Sequence, residues 1–385
     1  MKITGIIVEY NPFHNGHQYH IEQARAITKA DVVVAVMSGN YVQRGEPAMF
    51  DKWTRAKEAL LNGVDVVFEL PFAMAVQPGH IFAEQAISLL HAVGVDTIVC
   101  GAEHPDYQFM QLAQLPIDNH RAFTQYQQTY ATTFYQELAD QSGIEIQLPN
   151  DILSLSYAKA IVKNGWTDTI NLQPIKRINA AYHQTALPSG SIASASAIRK
   201  HNVSAVLQYV PEQTAVDLLN STRTSDFATV WWPFIQYRLQ TAKIEELRVI
   251  YQVSEGLEYK LKAAVEQASS YAEFMQLLKS KRYTNARLQR MVLYVLLNVT
   301  TKQMQQTLAQ PYLNLLGATP VGQKWLRQVK KQVTIPLFSK IGAQAKQGIF
   351  ALQYQVDQVF TTIGNQSVQN IGRIPWRIND STTLQ

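Results

Sequence analysis

The chain of 385 residues contains one cysteine, Cys100, which excludes an internal disulfide. Long apolar runs are also missing, since no segment approaches the roughly 20 apolar residues that a membrane-spanning helix needs. The first residues lead directly into a strand-like segment and lack the apolar stretch and cleavage site of a signal peptide. These absences predict a cytoplasmic protein with no membrane partner.

Several common catalytic motifs are missing as well. The sequence has no Walker loop, no GxGxxG pattern and no Ser–His–Asp arrangement. Charge is unevenly distributed: residues 1–200 hold 14 Lys and Arg against 18 Asp and Glu, whereas residues 201–385 hold 20 against 11. A basic second half favours a polyanion partner, although a solvated surface with a chance excess of lysine accounts for the count equally well.

Short apolar runs alternate with helical patterns over the first hundred residues, which predicts an α/β fold with a parallel sheet. After about residue 205 the strand pattern fades and amphipathic helices follow, so we predict two domains, at 1–205 and 206–385, with a loosely held tail after about residue 363. The predicted strands are Ile3–Val8, Asp31–Met37, Val64–Leu70, Thr97–Cys100 and one near Ile175–Ile178. The predicted helices include His17–Thr28, Phe50–Leu61, Ile81–Val93, Ala242–Tyr251, Leu257–Gln267, Tyr271–Leu278 and Ala286–Leu297.

The most informative segment begins at the end of the first predicted strand. An Asn11–Pro12 turn is followed by His14 and His17, which lie one helical turn apart at the start of the predicted helix. The amides and dipole of a helix start favour anions, and Gly16 allows a ligand to approach the backbone closely. Two alternatives are a metal site, which lacks nearby Cys or carboxylate ligands, and incidental surface histidines. Contact with nucleotide phosphates is the favoured interpretation.

A second polar cluster, Ser38–Glu46, follows the second predicted strand. Arg44 within this cluster and Lys52 just after it are candidates to neutralise an anion. Lys52 and Arg55 share a helix face, which a solvated surface explains equally well for Arg55. Four carboxylates are candidate bases or metal ligands, and the sequence does not distinguish among Glu9, Glu46, Glu69 and Glu103.

A third cluster, Ser194, Ser196 and Arg199, opens another predicted helix. Its hydroxyls either cap that helix or hold a phosphate together with Arg199. A fourth cluster lies in the basic half, where basic residues are interleaved with an aromatic ring that can stack on a base. A solvated helix face is the alternative for this cluster, which comprises Lys281, Arg282, Tyr283, Arg287 and Arg290.

Two of these motifs resemble signatures of the nucleotidyltransferase superfamily. His14-Asn15-Gly16-His17 is similar to HxGH, and Ser194–Arg199 is similar to ISSTxIR, with alanine for one serine and serine for threonine. One departure is Asn11, where common members carry Asp. Nearly the whole chain further resembles the bacterial tRNA(Met) cytidine acetate ligase family, through Val8–His20, Ser38–Arg55, Phe68–Leu90, Gly101–Glu103, Leu148–Ala160 and Lys281–Arg290.

This resemblance implies a Rossmann-like nucleotidyltransferase domain, followed by a mainly α-helical domain that binds the anticodon arm of elongator tRNA(Met). It implies that ATP, with Mg²⁺, and acetate form acetyl-adenylate, whose acetyl group passes to N4 of the wobble cytidine. The implied catalytic residues are His14, His17, Ser194, Ser196 and Arg199. The implied ATP contacts are Ile7, Val8, Glu9, Tyr10, Asn11, Pro12, Phe13, His14, Asn15, Gly16, His17, Gln18, Tyr19, His20, Gly101, Asn150, Arg177 and Ile178.

Two other functions remain open from the residues alone. An adenylyltransferase would use the same first domain to attach AMP to a phosphorylated cofactor precursor, but it would not need the basic half. A non-catalytic RNA-binding factor would bind ATP without turnover. No residue identifies the acid, the tRNA, a metal ligand or the oligomeric state.

Overall fold

Parallel strands form the centre of the molecule, as the alternating pattern predicts. The computed structural model describes residues 1–117, 130–178, 186–221 and 227–378. The first five strands are β1 (Ile3–Val8), β2 (Val32–Ser38), β3 (Val66–Leu70), β4 (Thr97–Ala102) and β5 (Asn171–Lys176). They lie in the order β5-β4-β1-β2-β3 with every neighbouring pair parallel. The chain therefore reverses its direction of travel between β1 and β4, where sheets of this kind bind ligands at the carboxyl ends of the strands.

Side chains alternate across the sheet and supply two cores. In β2, Val32, Val34 and Val36 face one side, whereas Val33 and Ala35 face the other. All seven residues of β2 are buried, because helices cover both faces. The helices of this half are α1 (Asn15–Thr28), α2 (Lys52–Leu61), α3 (Phe72–Ala75), α4 (Gly79–Ala92), α5 (Phe109–Gln114), α6 (Tyr130–Ser142), α7 (Pro149–Lys163), α8 (Ala195–Lys200) and α9 (Val203–Val206).

Helices dominate the second half and enclose a third core, in which Trp231 and Trp232 are buried. The predicted helix Ala242–Tyr251 is wrong in extent, because only Ile244–Arg248 is helical. These helices are α10 (Glu212–Asn220), α11 (Trp232–Thr241), α12 (Ile244–Arg248), α13 (Leu257–Gln267), α14 (Tyr271–Leu278), α15 (Asn285–Leu296), α16 (Thr301–Ala309), α17 (Pro320–Val329) and α18 (Ala351–Ile363).

The second half also extends the sheet, which sequence periodicity did not indicate. Strand β6 (Leu313–Ala318) pairs antiparallel with β3, and β7 (Leu337–Phe338) and β8 (Trp376–Arg377) pair parallel with β6. The sheet therefore crosses the predicted boundary at residue 205. The predicted loose tail is wrong over its described part, because Gln369 and Asn370 are fully buried and Trp53 Nε1 donates to Gln369 O at 2.8 Å.

A buried ion network joins the two halves. Lys52 Nζ donates to Glu69 Oε1 at 2.9 Å and to Asp357 Oδ2 at 2.7 Å, and all three side chains are fully buried. Burial acts to lower the pKa of Lys52, but Asp357 and Glu69 raise it above its usual value, so the ammonium stays charged. The prediction that Lys52 neutralises a ligand anion is therefore wrong, and Glu69 likewise serves structure.

Candidate active site

The two histidines of the first motif form a stacked pair at the start of α1. Their rings lie 3.7 Å apart between centroids with planes 23° from parallel. His14 is the N-cap, and its Nδ1 accepts a hydrogen bond from Gly16 N at 3.1 Å. His17 Nδ1 in turn accepts from His14 N at 3.3 Å. Because both Nδ1 atoms accept from backbone amides, both protons sit on Nε2, and each ring presents an N–H donor.

Burial keeps these rings neutral. It lowers the pKa of His14 to about 3, with Arg177 and Arg199 adding to the effect. Burial also lowers the pKa of His17 well below its usual value, with His14 and Arg177 contributing. At neutral pH the pair therefore offers hydrogen-bond donors without formal charge. His20 follows on the same helix, and its Nε2 donates to Val99 O of β4 at 3.2 Å, which anchors α1 to the strand beyond the reversal point.

Gly16 and Asn15 serve the histidine pair and the neighbouring loop. A Cβ on Gly16 would lie 2.9 Å from His14 Cε1, so Gly16 leaves space for the His14 ring and not directly for a ligand. Asn15 Nδ2 donates to Ser191 O at 2.8 Å and to Gln208 O at 3.0 Å. The first motif thus holds the segment that precedes the serine–arginine motif.

Asn11 and Arg199 link the two motifs. Arg199 Nη1 donates to Asn11 O, which brings the guanidinium beside the histidine pair. The Asn11 amide oxygen accepts from Met49 N at 2.8 Å, in a buried position. The Asn11 side chain therefore holds the backbone of the loop that follows β2.

Ser194 acts as a helix cap. Its hydroxyl accepts from Ala197 N at 3.1 Å and lies 3.2 Å from the Ser196 hydroxyl. Both serines and Arg199 are partly buried. The motif thus places two hydroxyls and one guanidinium on the same short turn, and the Arg199 contact with Asn11 sets that turn beside α1.

The remaining predicted contacts converge from β4 and β5. Arg177 follows β5, and its Nη1 donates to Asn150 Oδ1 at 3.2 Å. A Cβ on Gly101 would lie 3.1 Å from Arg177 Cγ, so Gly101 makes room for the arginine stem. Glu103 accepts from Asn150 N at 3.1 Å and from the Asn150 side chain, which fixes the amide at the start of α7.

Asp151 is a positioning residue that sequence reasoning missed. It is almost fully buried, and its Oδ1 accepts from Glu103 N at 2.9 Å while Glu103 Oε2 accepts from Asp151 N at 3.0 Å. This reciprocal pair clamps the end of β4 to the start of α7. The turn signal Leu148-Pro149-Asn150-Asp151 was the available clue, since an acidic residue in a first helical turn often binds free amides.

Glu9 lies at the end of β1 and organises the second cluster. Its Oε1 accepts from Gln43 N at 2.7 Å and from Ser38 Oγ at 3.3 Å. Burial raises the pKa of Glu9, against the opposing effect of those two bonds and of Arg55. Arg55 is fully buried and donates to the carbonyls of Glu9 and Ser38, so it supports the loop and is not a solvated face.

Three of the residues implied as ATP contacts have buried side chains. Val8, Tyr10 and Phe13 belong to the core, and the edge of the Tyr10 ring packs on His17 at 4.8 Å. Ile178 is 39% exposed beside Arg177. Of the other implied contacts, Ile7 lies in β1, Pro12 lies in the turn before α1, and Gln18 and Tyr19 lie in α1.

The basic cluster is split by the fold. Lys281 and Arg282 are exposed, and Arg282 pairs with Glu255 at 2.9 Å. The Arg287 guanidinium lies 4.2 Å from the centroid of the Tyr283 ring. Arg290, by contrast, is only 5% exposed. The alternative of a solvated helix face therefore does not hold at Arg290.

Comparisons with known proteins agree with this geometry. A model of the family described as HIGH nucleotidyl transferase matches residues 1–373. The tRNA(Met) cytidine acetate ligase of Leuconostoc citreum (strain KM20) is 45% identical over 100% of both chains, and that of Latilactobacillus sakei is 45% identical over 97% of both. The chain belongs to the tRNA(Met) cytidine acetate ligase family. The predicted family is thereby confirmed.

Solved structures extend this match to the fold. The apo form of Thermotoga maritima TmcAL superposes with a TM-score of 0.87 at 27% identity, covering 98% of this chain and 100% of that one. The form bound to alpha-thio ATP gives 0.84 at 26% identity with the same coverage. The predicted α/β fold class is confirmed. In the described part of this family member, no helix is long and apolar enough to cross a bilayer.

Proposed function

We propose that this chain is an ATP-dependent ligase that acetylates N4 of the wobble cytidine of elongator tRNA(Met), and that it acts in the cytoplasm where its tRNA substrate is found. The observation that carries the proposal is the neutral, stacked pair His14 and His17, which presents two Nε2–H donors at the start of α1. That helix start lies where the sheet order reverses, and it combines donors with a favourable dipole for a triphosphate. Family membership supplies the reaction.

In the first step, an acetate oxygen attacks the α-phosphorus of ATP and pyrophosphate leaves. The chain contributes positioning and charge stabilisation without a covalent intermediate on the protein. In this proposal His14 and His17 donate to the α- and β-phosphates. Arg199, with Ser194 and Ser196, receives the departing pyrophosphate. Asn150 and Arg177, held by Glu103, face the nucleoside at the end of β4 and β5.

In the second step, the N4 amine of cytidine attacks the acetyl carbonyl, AMP leaves, and the amine loses a proton. The acyl group is already activated, so the step does not demand a strong base. We assign tRNA binding to the basic cluster between Lys281 and Arg290, with the anticodon arm as the part recognised. Lys281, Arg282, Tyr283 and Arg287 are surface contacts in this assignment.

A magnesium ion would arrive with ATP in this proposal. Among the described residues, no group of three or more His, Cys, Asp or Glu side chains is arranged to hold a metal ion. Mg²⁺ commonly keeps several waters and binds through substrate phosphates, so a dedicated protein cage is not required. Its chemistry would be to offset triphosphate charge.

The test is a reaction of the purified protein with ATP, labelled acetate and tRNA, followed by mass spectrometry of the nucleosides. The expected product is N4-acetylcytidine at the wobble position, with AMP and pyrophosphate released in equal amounts. A stable AMP conjugate of a small phosphorylated acceptor would instead indicate an adenylyltransferase. ATP binding without any turnover would indicate a non-catalytic factor.

A further inference from the structure

A cavity of about 240 Å³ lies between the start of α4 and the helical half, and neither residue of the histidine pair lines it. It is lined by Pro78, Gln252, Arg287 and Arg290. Arg287 and Arg290 are one turn apart on α15 and both contribute to its wall. The cavity has room for several water molecules or for one phosphate group.

Arg290 has a buried charge with no counter-charge. Its side chain is 5% exposed, and its Nε has no hydrogen-bond acceptor among the residues that the structure describes. No salt bridge joins it to a carboxylate within those same ranges. Burial lowers the pKa of Arg290, and Arg287 and Arg44 lower it further, while the phenols of Tyr294 and Tyr251 act in the opposite sense. A guanidinium nevertheless stays protonated in proteins.

An unpaired buried cation surrounded by like charge is strongly unfavourable unless an anion completes the site. Bidentate geometry makes phosphate the natural ligand of an arginine fork. The lining residues include two arginines and one amide and no acidic side chain, so the cavity repels cations and offers donors to an oxyanion.

One lining residue, Arg290, also packs against the loop that Glu9 organises. A Cβ on Gly45 would lie 2.7 Å from Arg290 Cα, so this loop lies directly on the α15 backbone. Gln289 Nε2 donates to Glu46 Oε1 at 3.1 Å, and Gln43 N donates to Glu9 Oε1 at 2.7 Å. A ligand held by Arg290 would therefore be fixed relative to the end of β1.

We propose that this cavity binds one backbone phosphate of the tRNA, with Arg290 as the buried contact and Arg287 at the solvent side. The proposal rests on the proposed tRNA substrate. In this proposal Arg290 makes one dehydrated contact with a phosphate, which sets the register of the RNA. The exposed basic residues have a different role, because they attract the RNA through solvent-screened charge.

The experiment compares wild type, Arg290→Gln, Arg290→Lys and Arg327→Gln for binding of tRNA(Met) as a function of salt. Arg327 is an exposed arginine of α17, so its removal is a matched loss of one charge. Arg290→Gln should weaken binding about tenfold or more and reduce the salt slope by about one phosphate contact. Arg290→Lys should recover part of the slope, and Arg327→Gln should match wild type. Ethylation of tRNA phosphates should interfere at one position in wild type and lose that effect in Arg290→Gln.

Three other outcomes would overturn the proposal, and a fourth would overturn only the proposed function. If wild type and Arg290→Gln bind tRNA with equal affinity and equal salt dependence, Arg290 makes no phosphate contact. Binding of inorganic phosphate that depends on Arg290 but is not displaced by tRNA would make the cavity a small-anion site. A loss of tRNA binding matched by an equal loss of pyrophosphate release without tRNA would show that Arg290 supports the fold and does not bind a tRNA phosphate. If wild type binds tRNA through Arg290 but never acetylates it, the proposed function fails while this site stands.

Discussion

Replacing His14 with asparagine tests its proposed contact with a ligand separately from its role as a helix cap. His14 caps α1 through Nδ1 and offers Nε2–H to a ligand. Asparagine is among the best N-cap residues, so His14→Asn retains the cap and removes only the Nε2–H donor. The variant should fold, with a modest loss from the smaller side chain in the stack with His17.

The expected kinetic loss follows from the charge of the acceptor. A hydrogen bond to a charged group contributes about 1.5–3 kcal/mol, which corresponds to roughly a 10- to 150-fold lower rate. The assay is acetate-dependent release of pyrophosphate from ATP in the absence of tRNA, which isolates adenylate formation. His14→Ala should lose this activity and also about 1 kcal/mol of stability, because it removes the cap.

His91→Asn is the matched control. His91 stacks on Trp166 with ring centroids 4.1 Å apart, at the end of α4 and away from the candidate site. It should keep the wild-type rate. If His14→Asn releases pyrophosphate within about threefold of wild type, the phosphate assignment of His14 is refuted. If His91→Asn is impaired as much, the assay is reporting stability and not phosphate contact.

Three further predictions concern stability, each measured by urea unfolding. Burial lowers the pKa of His14 from 6.5 to about 3, so between these values the unfolded chain binds a proton that the folded chain does not. Stability therefore decreases as the pH is lowered, and the free energy of unfolding should drop by about 2 kcal/mol between pH 7 and pH 5 through His14. The variant His14→Asn should lack this component. Lys52→Met leaves Glu69 and Asp357 buried without a cation and should lower the free energy of unfolding by about 3–5 kcal/mol. The control Lys163→Met breaks an exposed pair with Glu84 and should lower it by less than about 1 kcal/mol. Equal losses in the two variants would contradict a structural role for the buried network. Gly45 has φ +87° and packs against Arg290, whereas Gly94 has φ +76° and faces open space. Gly45→Ala should therefore lower the free energy of unfolding by about 1–3 kcal/mol more than Gly94→Ala. Similar losses would show that the loop around Gly45 can move to accept a methyl group.

Local pattern was enough to predict the parallel part of the sheet. The helices Leu257–Gln267 and Tyr271–Leu278 have the predicted bounds because each is a periodic segment. The strand Ile3–Val8 also has the predicted bounds, because its apolar run ends shortly before the Asn11–Pro12 turn and a helical pattern. Strand β6 was missed since Leu313–Ala318 is a short apolar run, and periodicity cannot separate such a run from a buried helix.

Some residues were predicted to be exposed but are buried, because segments distant in the sequence pack over them. Lys52 reads as a surface cation, but its partner Asp357 is 305 residues away in the chain and closes over it. Arg287 and Arg290 do share a helix face, as their spacing predicts, yet the loop around Gly45 covers that face only at Arg290. The HxGH pair was identifiable because its capping bonds are all local, within three residues.

The antiparallel pairing of β6 with β3 limits how this enzyme family can be taken apart. A fragment ending near residue 205 would expose the backbone edge of β3, a strand whose five residues are all buried, and would leave Lys52 and Glu69 without Asp357 and Asn314. Such a fragment is an aggregation hazard and not a portable adenylate-forming module. The half that we assign to RNA cannot be exchanged by cutting the chain between domains, because it completes the sheet on which the nucleotide site is built.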